Sequence, residues 1–172
     1  MKSIIFALIY SVMFTACTKD NDNNDNGYVL SVGVEFNLLD RQGNDLLNSN
    51  NDNSYSAEDM KLFYLINGEL VLAHKHQPDI GWHNGIMHIS ETTPYSLKVF
   101  TNSDFDNYTS EENGIKKGEH IAYLQLNETD TDTIKTQWES GNHYFVNRKI
   151  WYNGKEKSQE INENKGFFVM KK

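Results

Sequence analysis

The chain has 172 residues, 38% of them hydrophobic and 23% charged, with a formal net charge of −8 at pH 7. That length suits one domain with a real core. The acidic balance excludes nonspecific nucleic-acid binding and electrostatic docking on anionic lipid, both of which need a basic surface.

The N-terminus has the three parts of a secretory signal. Lys2 supplies a short positive region, and Ser3 to Phe14 is an uncharged, mostly apolar run. A spanning helix needs roughly 20 apolar residues, so this run reads as the core of a signal peptide covering residues 1–16. Phe14-Thr15-Ala16-Cys17 then resembles the lipobox of bacterial lipoproteins, with Phe where Leu is usual. The resemblance implies a diacylglycerol thioether on Cys17, which is also the only cysteine in the chain. Lipidation leaves no free thiol, which answers the question a lone cysteine raises in an exported protein. Each buried lipid methylene contributes about 0.8 kcal/mol, so two or three acyl chains hold a protein on a membrane. Loss of residues 1–16 leaves 15 basic against 24 acidic residues, a net charge of −9.

Residues 17–27 are the lipidated cysteine and a tether. Thr18 to Gly27 (TKDNDNNDNG) has no apolar side chain and cannot offset its own ordering entropy. Extended, ten residues reach at most about 35 Å; as a coil they hold a domain within about 20 Å of the membrane. Lys19-Asp20 with Asp22 and Asp25 resembles the acidic export signal of Bacteroidota surface lipoproteins, which implies an outer-membrane address, on its outer face.

From Tyr28 on, apolar residues alternate between Asn, Asp, Gly and Ser clusters, the signature of strands. Tyr28 to Leu39 reads as one long strand with Val32, Val34, Phe36 and Leu38 on one face. Asp40 to Asp45 is a turn, and Leu46 and Leu47 pack its return. Ser49 to Ser56 is a loop by composition; Ser56 ahead of Ala57-Glu58-Asp59-Met60 can cap one helical turn. Lys61–Ile66, Asn67-Gly68 and Glu69–His74 form a hairpin, because Asn-Gly takes the positive φ of a type I′ turn. Further strands are expected at 85–90, 95–101, 119–127, 132–139, 143–152 and 166–170, with Asn153-Gly154 a second hairpin turn. The expectation for residues 28–172 is a single all-β domain, an antiparallel sandwich of about seven to eight strands, Ig-like or transthyretin-like.

No catalytic or cofactor motif stands out. His74 and His76 share a strand face, and His83 and His88 follow, but a third ligand at fixed spacing is missing and Lys75 separates the pair, so no metal site is expected. Asn127 to Thr133, and Asp40 with Asp45, offer oxygens of the kind calcium takes without an EF-hand pattern; they read as solvated turns. No Gly-x-Ser-x-Gly elbow occurs, and carboxylate pairs are inevitable in a chain with 24 of them. The aromatic surplus is more telling. Trp138 and Trp151 lie within strands and read as core. Trp82, in a loop between Gly81 and His83, is the exposed candidate for stacking on a sugar, with Tyr95 beside it. Asp132-Thr133-Ile134 fits the short pattern on which exported Bacteroidota proteins are O-glycosylated, at Thr133.

Four segments carry a wider resemblance: Phe36 to Leu47, Lys61 to Gly68, Asn127 to Lys135 and Ile150 to Gly154. Together with the lipobox they resemble small lipoproteins of gut Bacteroidota. That resemblance implies an Ig-like or prealbumin-like β fold and an outer-membrane location, with no cofactor and no catalytic residue to carry over. The chain departs from it at Gln77 to Asn84. The expected role is non-enzymatic, a displayed module for binding or assembly whose partner is an envelope protein or a glycan. The rivals are a carbohydrate-binding accessory and a carboxylate-dependent hydrolase.

Overall fold

A computed structural model describes residues 29–73, 82–83, 85–101, 108–159 and 167–172, with only the backbone of 82, 83 and 167. The expected signal peptide and tether, Cys17, His74 and His76 lie outside the described residues, as does Tyr28.

Three Asn-Gly pairs set the local geometry. Asn67 and Gly68 have φ of 52° and 86°, and Asn153 and Gly154 have 46° and 77°, as type I′ turns require. The first joins β3 (Lys61–Ile66) to β4 (Glu69–Leu72) in the expected register, Ile66 opposite Glu69. The second joins β11 (Tyr144–Tyr152) to the two-residue β12 (Lys155–Glu156). Asn113-Gly114, at 52° and 76°, joins β8 (Ser110–Glu112) to β9 (Ile115–Gln125). This third hairpin carries the same signal and was not anticipated.

Two sheets result. One has eight strands, with β1 (Val29–Ser31), β11, β10 (Thr131–Gly141), β9, β3 and β4 in that order, β12 added on β11 and β8 on β9. The other runs β13 (Phe167–Lys171), β2 (Gly33–Leu39), β7 (Ser96–Phe100), β6 (Ile86–Ile89) and β5 (Trp82–His83). The fold is all-β, as expected. Both sheets are mixed rather than antiparallel, because β1 runs parallel to β11 and β13 parallel to β2. Short edge strands raise the number of strand segments among the described residues to thirteen.

The expected first strand is divided between the sheets. Val32 interrupts it, with β1 paired in the larger sheet and β2 in the smaller. Strands that change sheets make the corners of such folds. Val32 is buried with Trp138 and Phe145 in a small satellite core, and its carbonyl accepts a hydrogen bond from Asn147 Nδ2 at 3.2 Å.

The main core draws on both sheets. Val34, Phe36 and Leu38 of β2 point inward, as alternation requires, and join Leu97, Val99 and Phe168 against Leu62, Leu124, Ile134 and Tyr152 of the larger sheet. Phe36 stacks on Phe168 and meets Tyr152 edge-on, both at 5.3 Å between centroids. Tyr64 crosses between sheets, its hydroxyl donating to the Phe100 carbonyl at 2.9 Å; burial pushes that phenol up to about 12. Leu46 and Leu47 are buried, closing the first turn as expected. At Ser56 a single turn forms, Asp59 N–H donating to the Ser56 carbonyl at 3.1 Å.

Candidate functional site

The two oxygen-rich turns behave differently from solvated loops. In the first, Asp40 is half-buried, and its Oδ1 accepts the backbone N–H of Gln42 and of Asn44, each at 2.8 Å. The Asn44 side chain beside it is the main cause of its lowered pKa. Asp45 is buried instead. Its carboxylate accepts the backbone N–H of Leu47 at 2.9 Å and of Tyr95 at 2.8 Å, fastening the turn to the start of β7.

The second turn enters a polar cluster between the sheets. Asp132 alternates inward on β10, as Ile134 does, and is 2% exposed. Its Oδ2 accepts from Tyr152 OH at 2.5 Å and pairs with Lys172 Nζ at 2.6 Å, while Oδ1 accepts from Asn153 Nδ2 at 2.6 Å. Asp130 accepts from Tyr55 OH at 2.6 Å and from Lys172 at 2.7 Å. Burial alone would raise the Asp130 carboxyl, but the bonds from Lys172 and Tyr55 outweigh it and hold it below the usual range. Burial chiefly, then the nearby aspartates, raise both tyrosine hydroxyls well above normal, Tyr152 the more. The expectation of a solvated turn therefore fails at Asp132. Its cause was out of sight in the local sequence, since the cation arrives from residue 172, at the end of β13.

This cluster has little chemistry to offer a substrate. An acid–base pair needs one carboxyl that takes up a proton near neutral pH, whereas Asp130 is shifted the other way. Lys172 bridges the two carboxylates, and the tyrosines and Asn153 occupy further lone pairs.

The remaining sequence candidates are dispersed. His88 bonds the Leu47 carbonyl through Nε2 at 3.1 Å and lies edge-on to Tyr95. Tyr95 is half-buried and packs against the main core, its carbonyl accepting from Asn37 at 2.8 Å. Trp82 belongs to β5, opposite Met87, rather than to a loop; its side chain, like that of His83, is outside the described residues. Thr133 is half-buried on the outward side of β10, its N–H donating to Asn153 Oδ1 at 2.7 Å. Among the described residues no group of three His, Cys, Asp or Glu is placed to hold a metal.

The tryptophans divide. Trp138 is fully buried, stacked between Phe145 at 4.9 Å and His120 at 5.5 Å. The ring lies over Gly118 across the strand pair, where an added Cβ would come within 2.5 Å of it. Trp151 is not core. Tyr152 takes the inward position, so Trp151 turns outward and is half-buried beneath Lys135, whose Nζ sits 5.4 Å from the ring.

That outward face is where the larger sheet presents apolar surface. In facing register Thr133, Tyr123, Phe63 and Leu72 cross β10, β9, β3 and β4. Leu65 opposes Leu70 in the next row. All four residues of β4 are exposed, with Leu70 at 60% and Leu72 at 42%. Comparison with models of known families, with curated proteins and with solved structures gives no match to this chain.

Proposed function

We infer that this chain is a lipid-anchored outer-membrane protein whose β domain, carried on a short acidic tether at the cell surface, is a non-enzymatic module for binding or assembly. One observation carries the module reading. The buried carboxylates Asp45 and Asp132 and the half-buried Asp130 are committed to internal partners, while leucine and valine stand exposed along β4. Polar chemistry is turned inward and apolar contact surface outward, the arrangement of a contact protein. The single Cys17 behind an apolar run supports the anchor. An Ig-like or transthyretin-like form of the sandwich belongs to the same proposal, supported by the change of sheet at Val32.

Metabolic labelling with an alkyne palmitate, followed by protease shaving of intact cells, tests the location. Cys17→Ser is expected to abolish the label; label retained on that variant removes the anchor. Shaving that spares the domain on intact cells removes the surface address.

A glycan-binding role is the second reading, favoured by the outward rings of Phe63, Tyr123 and Trp151 on one sheet face. Aromatic faces stack on the apolar faces of sugars, and Thr133, Lys135 and Gln125 stand beside them as polar partners. On a glycan array, Tyr123→Ala and Trp151→Ala would each weaken any retained sugar; unchanged retention excludes this face.

A further inference from the structure

The turn at Asn67-Gly68 settles where the backbone of β4 points. In a two-residue hairpin the closing pair, Ile66 and Glu69, is hydrogen-bonded, and such pairs then alternate. Tyr64 with Val71 and Leu62 with Ala73 are the next bonded pairs, and Ala73 N–H donates to the Leu62 carbonyl at 2.8 Å. Leu70 and Leu72 therefore turn their N–H and C=O groups away from β3. Among the described residues no strand lies on that side. Natural edges are blunted by charged side chains, proline or a bulge; beyond Glu69, the Leu70-Val71-Leu72 segment has none of these.

We propose that β4 pairs antiparallel with β4 of a second copy of this chain, on a twofold axis through Val71. The proposal rests on the assembly reading above and names its partner. Leu70-Val71-Leu72 reads the same in both directions, so antiparallel self-pairing sets Leu70 against Leu72 of the second copy and Val71 against Val71. Leu70 and Leu72 exchange their outward backbone bonds, as a bonded pair does. Their side chains share the outward face and build a four-leucine cluster flanked by Phe63 and Leu65 of each copy. Charge does not oppose this register. The two Glu69 residues stand two residues from the axis on opposite sides, about 14 Å apart at ~3.4 Å per residue. That exceeds the Debye length of about 8 Å at physiological salt. A four-residue edge is small beside the ~800 Å² per partner of a stable soluble dimer. It suits copies already concentrated in one membrane leaflet, where tethering raises the effective concentration.

The register gives a direct test in the full chain, in cell envelopes. Val71 faces Val71 as a non-bonded pair with Cα atoms about 4.5 Å apart, within disulfide reach. With copper–phenanthroline as oxidant, Val71→Cys is expected to convert to a covalent dimer at least tenfold faster than Glu69→Cys. Adding Leu70→Pro, which removes only an outward N–H, or Leu72→Lys, should cut that crosslink at least tenfold. Equal crosslinking of Val71→Cys and Glu69→Cys, no crosslink of Val71→Cys, or a crosslink that survives both added substitutions overturns the pairing. Palmitate label read on the same samples reports the anchor separately, so loss of either result is distinguishable from loss of the other.

Discussion

Two regions of the larger sheet, a corner of its inner strand β10 and its edge strand β4, solve opposite problems. At the Asp130–Asp132 corner a buried carboxylate, a half-exposed one, two phenols, an amide and a lysine satisfy one another completely. At β4 the backbone and side chains of one edge strand are left facing outward. The first region can be altered only at a cost in stability. The second can be altered freely, and what changes there is association. Polar groups buried in a sheet protein hold it together, whereas apolar groups left at its edge are available to something else.

Removing the cation should show the largest difference. Lys172→Met keeps the side-chain stem and leaves Asp132 buried without a charge partner, which costs about 3 kcal/mol. Urea unfolding would show this as an earlier midpoint with unchanged slope. An unaltered midpoint would mean that the corner contributes nothing. Tyr152→Phe is milder, because Lys172 and Asn153 still satisfy Asp132. A loss of about 1–2 kcal/mol is expected, with the ring packing on Phe36 and Phe168 retained.

Acid should act on the same corner. The Asp130 carboxyl lies below its ordinary value of 3.8 in the folded chain, so its stabilisation is complete above that value and disappears as pH falls through the lowered one. Unfolding midpoints measured from pH 6 to pH 2.5 should therefore drop more steeply in the parent than in Asp130→Asn. Parallel curves would place the acid sensitivity elsewhere. The smallest effect belongs to the edge. Leu70→Ser, at a position 60% exposed, should change stability by no more than about 0.5 kcal/mol. A loss of 2 kcal/mol there would make β4 part of the core and end the contrast.

Sequence patterning was most informative where one side chain decides one conformation. Asn67-Gly68 specified its hairpin, and the alternation of Val34, Phe36 and Leu38 specified an inward face. Patterning was silent where the decision is tertiary. Trp151 and Tyr152 are adjacent aromatics, and strand alternation says that one faces inward without saying which. Asp132 looked like a turn residue because its partner, Lys172, is 40 positions away. The parallel pairs were illegible for the same reason, since no local signal distinguishes an antiparallel neighbour from a parallel one that arrives from the far end of the chain. Of the contact surface, the exposed leucines of β4 were present in the sequence, yet a Leu-Val-Leu strand reads as buried until its position at an edge is known.

The change of sheet at Val32 bears on how the chain folds. β1 must await Tyr144–Val146, and β2 must await the last strand, Phe167–Lys171. β1 and β2 thus find their parallel partners across loops of more than 100 residues, whose closure slows folding. Before β11 and β13 are in place, β2 has only β7 to pair with, and β1 has no strand partner among the described residues. Loss of β13 would therefore loosen β2, near the beginning of the domain, rather than only its end.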